Sequence, residues 1–150
     1  MRIGMTYDLR DDYRAVGTYS EEALAEFDSL ETIDALESAL RASGYDVERI
    51  GNIRMLAPRL VAGERWDLVF NIAEGLSGRS REAQVPALLE AYGIPYVFSD
   101  PLTQAATLDK AVAKRLMRDA GLPTAPFAVI TCDADAEHCD LPYPVFLKPV

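Results

Sequence analysis

The stretch Trp66 to Lys110, WDLVFNIAEGLSGRSREAQVPALLEAYGIPYVFSDPLTQAATLDK, carries a strand, a polar turn, a helix, a second strand and a polar helix start in one passage. Its first part, Asp67 to Ala73, is apolar after the opening aspartate except for Asn71. Such a run predicts a strand covered on both faces, not one with a wet side. Glu74, Gly75, Leu76, Ser77, Gly78, Arg79, Ser80 and Arg81 follow directly. Two glycines and alternating charges thus stand where an α/β sheet presents its ligand-binding loops.

Beyond the turn, Val85, Leu88, Leu89 and Tyr92 recur at helical spacing, with Pro86 in the first turn and Gly93 as the stop. Ile94 to Phe98 reads as a strand and Ser99 to Pro101 as a turn. Thr107 is the expected cap of a helix from Leu108 to Ala120, closed by Gly121 and Pro123. Upstream, Arg2 to Tyr7 is a short apolar strand ending in Asp8, Leu9, Arg10, Asp11 and Asp12. Asp28 or Ser29 can cap a helix whose Leu30, Ile33, Leu36 and Leu40 share a face and which Gly44 ends. Tyr45 to Ile50 alternates like a half-buried strand, and Met55 to Ala62 predicts a helix with Pro58 in its first turn.

Strands alternating with helices argue for an α/β protein, a small doubly wound parallel sheet with helices on both faces. That unit is expected to span residues 1–122. Residues 123–150 hold two short apolar strands, Phe127 to Thr131 and Pro144 to Leu147, and read as the beginning of a second domain. A lone two-stranded pair is marginal in water, so further partners are expected for it.

The chain has 150 residues and 49% hydrophobic composition, and no apolar run approaches the ~20 residues that cross a bilayer. Met1 and Arg2 lead into too short an apolar run for a secretory signal, so a cytoplasmic location is expected. The net charge of -9 makes nucleic acid and anionic membranes poor partners. The first strand is followed by carboxylates where a dinucleotide-binding fold would place G-x-G-x-x-G. From Glu21 to Glu37 seven acidic residues occur with no basic residue among them, read here as a solvated helix face. Cys132, Asp133, Asp135, His138 and Cys139 lie within eight residues, but without a C-x-x-C pair no zinc site is expected.

Taken in order, FNIAEG, GIPY followed by SDP, LDK opening a helix, AGLPT and LPYPVFLKP form a series that resembles the D-alanine:D-alanine ligase family of ATP-grasp enzymes. The resemblance runs from about Trp66 to Val150, and the first half matches in pattern more than in residues. It implies a pre-ATP-grasp substrate domain followed by the first strands of an ATP-grasp domain. It also implies ATP and Mg²⁺ as cofactors, a small amino-acid-like substrate, a homodimer, and an amide made through an acyl phosphate. Lys110 in LDK and Lys148 in FLKP match two family lysines that line the nucleotide site, where ammonium groups offset polyphosphate charge. The glycine-rich lid, the arginine and the acidic magnesium ligands of the family lie beyond this stretch, so the 150 residues alone are expected to be inactive.

Glu74 and Gly75 stand where members of the family carry a His-Gly pair, and Arg79 where they carry an acidic residue. Glu74 could accept a substrate ammonium while Arg79 or Arg81 holds a carboxylate. Equally, Glu74 and Arg81 could pair across the turn and hold its shape. Asp8, Asp11 and Asp12 are candidates by location only. Two rivals complete the reading. A signalling receiver domain would need an aspartate at the end of the third strand, where the chain has Asn71, Ile72, Ala73 and Glu74. A non-catalytic dimerisation or small-molecule binding module would need no chemistry at all.

Overall fold

The computed structural model describes residues 1–15, 17, 19–75 and 77–148, except for the side chain of Glu22. The chain divides into two compact units, Met1–Ala105 and Ala106–Val150.

In the first unit, β1 (Arg2–Thr6) is the central strand and pairs in parallel with β2 (Asp46–Gly51) and β3 (Leu68–Asn71). Ile3 lies opposite Val47 on one side and Leu68 on the other, and Met5 opposite Arg49 and Phe70. The expected fourth strand is reduced to a single bridge between Val69 and Tyr96. Val69 donates to the Pro95 carbonyl at 2.8 Å and accepts from the Val97 N–H at 3.0 Å. Pro95 has no N–H for a longer ladder, and Phe98 at φ 75° turns the chain out of the strand.

Both faces of the sheet are covered, as the apolar run of β3 requires. On one face α4 (Ile53–Val61) and α5 (Gln84–Ala91) bring Leu56, Leu60, Val85 and Leu89 against Trp66, Val69 and Ile94. On the other, α3 (Leu30–Ala42) lays Ile33, Leu36 and Leu40 over Met5 and Val47. Each fully buried aliphatic side chain contributes about 1.5–3 kcal/mol. Gly4 permits this packing: a Cβ there would lie 2.4 Å from Ile50 Cδ1 and 3.0 Å from the Trp66 ring.

Local signals act as read at α3, where the Ser29 hydroxyl accepts the Thr32 N–H and Gly44 takes φ +87°. Two helix starts differ from expectation. Asn52 caps α4, which therefore begins at Ile53 and holds Pro58 as its sixth residue, past the first turn. In place of one helix capped by Thr107, α6 (Pro101–Leu108) and α7 (Lys110–Asp119) form separately. Asp100 accepts the Leu102 and Thr103 N–H groups, and Asp109 accepts those of Ala111 and Val112, so each aspartate starts its own helix.

The acidic run from Glu21 to Glu37 is not a bare solvated face. Its residues lie in α2 (Glu21–Leu24), in the segment between the helices and in α3, and arginines from outside the run reach it. Arg14 meets Glu21 at 3.1 Å, Arg81 meets Glu26 at 2.7 Å, and Arg49 bridges Asp34 and Glu37.

In the second unit, α7 is followed by a chain that Lys114 ties back through the Thr124 hydroxyl and the Ala125 carbonyl. No strand forms at 127–131 or 144–147 among the described residues, contrary to expectation. A short helix, α8 (Asp133–Glu137), lies between those segments. Phe146 and Leu147 are 95% and 88% exposed. No helix among the described residues is long and apolar enough to cross a membrane.

Candidate functional site at the carboxyl ends of the strands

Because β1 and β3 are parallel neighbours, the loop after β1 and the turn after β3 leave the sheet side by side. Asp8 joins them. Its carboxylate, 1% exposed, accepts the Gly75 N–H at 2.8 Å on Oδ2 and the Tyr13 hydroxyl on Oδ1. Burial and the adjacent Asp8 push the Tyr13 hydroxyl well above the usual phenol range. The same two causes raise the carboxyl of Asp28, with Arg10 opposing.

The loop after β1 folds back as α1 (Arg10–Arg14) and α2. Arg10 staples it by donating to the carbonyls of Leu24 and Phe27, both at 3.1 Å. Tyr13 lies tilted on Phe27 with ring centroids 4.2 Å apart, and Tyr19 meets Tyr13 edge-on at 5.6 Å. Of the three aspartates placed here by location, only Asp8 enters this network. Asp11 and Asp12 are exposed, and Asp11 meets Arg14 at 3.5 Å.

The opposite wall is the turn after β3. Gly75 has φ +77°, and a Cβ on it would lie 2.3 Å from the Arg81 carbonyl oxygen, so both the backbone angle and the close approach require glycine. The Arg81 guanidinium donates to the Glu74 carbonyl at 3.0 Å and to Glu26 Oε2 at 2.7 Å, with the Glu74 carboxylate 3.7 Å away. Burial and the neighbouring Glu82, which shares a hydrogen bond with it, push the Glu74 carboxyl up to about 7 against the pull of Arg81. The pairing of Glu74 with Arg81 across the turn is therefore present in the fold.

Between the two walls lies a cleft of about 290 Å³, bordered by Tyr19, Glu26 and Phe27 from the first loop and by Gly75, Gly78 and Arg81 from the turn. Of the residues singled out in the sequence, Gly75 and Arg81 line the cleft, while Glu74 and Arg79 do not. Lys110 and Lys148 both lie in the second unit and are exposed; Lys110 is the first residue of α7. Cys132 and Cys139 are exposed and unbridged, and no group of three or more His, Cys, Asp or Glu able to hold a metal occurs among the described residues.

Sequence reasoning missed Glu26, Tyr13, Tyr19 and Phe27. Glu26 was concealed in the acidic run. The aromatic residues follow neither a helical nor a strand period, so only their shared occurrence in one loop could have marked them.

The fold and the site define an α/β protein with a small cleft at the carboxyl ends of its parallel strands. No family model matches the chain. The D-alanine--D-alanine ligase of Xanthomonas axonopodis is 35% identical over 138 residues, covering 89% of this chain and 42% of that protein. That of Ectopseudomonas mendocina is 37% identical over 123 residues, 81% of this chain and 38% of that protein. Among solved structures, the D-alanine--D-alanine ligase of Bacillus anthracis complexed with ATP superimposes with a TM-score of 0.60 at 20% identity, over 93% of this chain and 45% of that one. The chain is a homologue of D-alanine--D-alanine ligases and corresponds to their amino-terminal part. It spans about two fifths of the length of these two ligases.

Proposed function

We propose that this chain is the amino-terminal part of an ATP-dependent carboxylate–amine ligase, with residues 1–122 serving as its substrate domain and 123–150 beginning its ATP-grasp domain. The observation that carries the reading is 35% identity to a D-alanine--D-alanine ligase over 89% of the chain. Its support in the fold is a cleft at the carboxyl ends of parallel strands, the place where α/β proteins bind small molecules.

ATP with Mg²⁺ would supply the phosphoryl group that activates a substrate carboxylate as an acyl phosphate. In this reading the ammonium groups of Lys110 and Lys148, both exposed, are donors for the polyphosphate. The turn from Glu74 to Arg81 orients an amino-acid-like substrate: Arg81 offers a guanidinium to its carboxylate, Gly75 keeps the backbone close, and Glu74 and Arg79 flank the approach. The protein acts in the cytoplasm as a homodimer, and neither nucleic acid nor membrane is a partner. In this reading residues 1–150 bind and orient the substrate and do not turn over by themselves.

The test is a phosphate-release assay with ATP, Mg²⁺ and pairs of D-amino acids. The 150-residue chain is expected to stay at background. A protein joining it to the rest of a ligase is expected to release one phosphate for each amide formed. Phosphate release without an amide, or a labelled aspartate after treatment with acetyl phosphate, would overturn the reading.

A further inference from the structure

Four charged side chains meet where the turn after β3 faces the loop after β1. Arg81 opens the short 3₁₀ turn Arg81–Ala83, is 19% exposed, and stands between two carboxylates, with Glu26 Oε2 at 2.7 Å and Glu74 Oε2 at 3.7 Å. Glu74 in turn shares a hydrogen bond with Glu82. Ionised carboxylates are acceptors only, so a hydrogen bond between two of them requires a proton on one. The contact between Arg81 and Glu26 crosses the cleft: both residues line it, Arg81 from the turn and Glu26 from the segment after α2.

We propose that these four residues form a proton-operated latch across the cleft: while Glu74 and Glu82 share a proton, Arg81 holds Glu26, and loss of that proton draws Arg81 onto Glu74, frees Glu26 and opens the cleft. The latch belongs to the two loops, whatever the cleft binds, and stands or falls independently of the ligase reading. The competition follows from the charges. With the proton in place, Glu74 and Glu82 together carry one negative charge, and Glu26 is the carboxylate within bonding distance of the guanidinium. Without it, two anions face one another on the turn, and Arg81 is the cation beside them. Its Nη1 already donates to the Glu74 carbonyl at 3.0 Å. A shift of about 1 Å would bring that nitrogen within the roughly 2.7–2.9 Å of a charge-assisted bond to the Glu74 carboxylate. Glu26 is readily given up, because it is 58% exposed and exposed ion pairs hold by little. The charged groups that bear on Glu74 are Glu82 and Arg81 from its own turn and Glu26 from across the cleft. Asp8, from the loop after β1, is engaged by the Gly75 N–H and the Tyr13 hydroxyl. Burial and Glu82 raise the Glu74 carboxyl to about 7, so the latch is closed below that pH and open above it.

The experiment follows the side-chain carboxyl carbons of the 150-residue chain by ¹³C NMR across pH. Glu26 is expected to show, besides its own ionisation, a second step at about pH 7 that coincides with the step of Glu74. The relaxation of the Gly75 α-protons by a neutral nitroxide, 4-hydroxy-TEMPO, is expected to rise at least twofold between about pH 6 and about pH 8 as the cleft opens. Glu74→Gln cannot ionise and is expected to abolish the second step of Glu26 and the rise in nitroxide access. Glu82→Gln offers an N–H to the ionised Glu74 in place of a second anion and is expected to lower the midpoint by at least about one pH unit. That variant also decides the matter should Glu74→Gln unfold, since an unmoved midpoint would remove the shared proton and the latch with it. A Glu26 carboxyl without a step at about pH 7, or a step that persists in Glu74→Gln, would overturn the latch. So would equal nitroxide access to Gly75 at both pH values.

Discussion

Asp8 accepts the backbone N–H of Gly75 at 2.8 Å across 67 residues of sequence, while its other oxygen holds the Tyr13 hydroxyl. One buried carboxylate thereby ties the turn after β3 to the loop after β1. Replacing it by alanine leaves a buried N–H and a buried hydroxyl without their acceptor, at about 1–3 kcal/mol for each orphaned group. Asp8→Ala is therefore expected to lower the unfolding free energy by at least about 2 kcal/mol in urea. A loss no larger than that of an exposed control such as Asp12→Ala would refute the role.

Gly75 and Gly93 both take positive φ, but only Gly75 faces an obstruction. A Cβ on Gly75 meets the Arg81 carbonyl at 2.3 Å, whereas one on Gly93 has nothing within 4 Å. Gly93→Ala pays only the left-handed strain, about 1 kcal/mol. Gly75→Ala adds a displacement of the turn and is expected to cost at least about 1 kcal/mol more and to reduce amino-acid binding at the cleft. Thermal melts of the two variants make the comparison, and equal shifts would contradict it.

The raised carboxyl of Glu74 gives a pH dependence with a definite sign. Its folded value of about 7 lies above the ordinary carboxylate range, so the folded state holds the proton more tightly than the unfolded one. The associated stability is fully present below about 4.5 and is lost as pH rises through 7. Glu48 acts in the other window: hydrogen bonds from Arg59, Arg2 and Trp66 hold it down to about 2, and its contribution is lost as pH falls from about 4.5 through 2. Glu74→Gln is expected to flatten the decline between pH 5 and 7 and to leave the acid limb unchanged. Urea midpoints collected across pH for both proteins would show it, and parallel curves between pH 5 and 7 would rule it out.

Lys110 is exposed at the first position of α7, where a cation is mildly unfavourable against the helix dipole. Lys110→Ala is thus expected to leave stability unchanged or raise it by up to about 1 kcal/mol. In a protein joined to the remainder of a ligase, it is expected to weaken ATP binding at least tenfold, through loss of a charge-assisted contact. Unchanged ATP affinity in that protein would remove Lys110 from the nucleotide site.

Much of the fold was legible before any coordinates. The apolar run of β3 meant burial on two faces, and the stripe Val85, Leu88, Leu89 and Tyr92 meant a core-facing helix; Val85 and Leu89 are fully buried. Ser29 and Gly44 marked both ends of α3 because caps depend on neighbours within one turn. Boundaries failed where two residues competed for the same role. Asp109 outcompeted Thr107 as a cap, and Asn52 started α4 earlier than Met55. The candidate site was legible only in part: Gly75 and Arg81 line the cleft, but Glu26 looked like one charge among seven.

The amino-acid order alone determined which faces are apolar and where helices stop, since both depend on spacings of a few residues, and the alternation of strands with helices gave the parallel sheet. The tertiary structure decided which loop meets which. Only the adjacency of β1 and β3 sets Asp8 beside Gly75, and only the fold-back of the first loop carries Glu26 to Arg81. Periodicity records the face a residue takes within its own element and is silent on the element across from it. The stretch Trp66 to Lys110 accordingly specified its own strand and turn, while the wall that makes the turn a cleft came from Asp8 to Asp28.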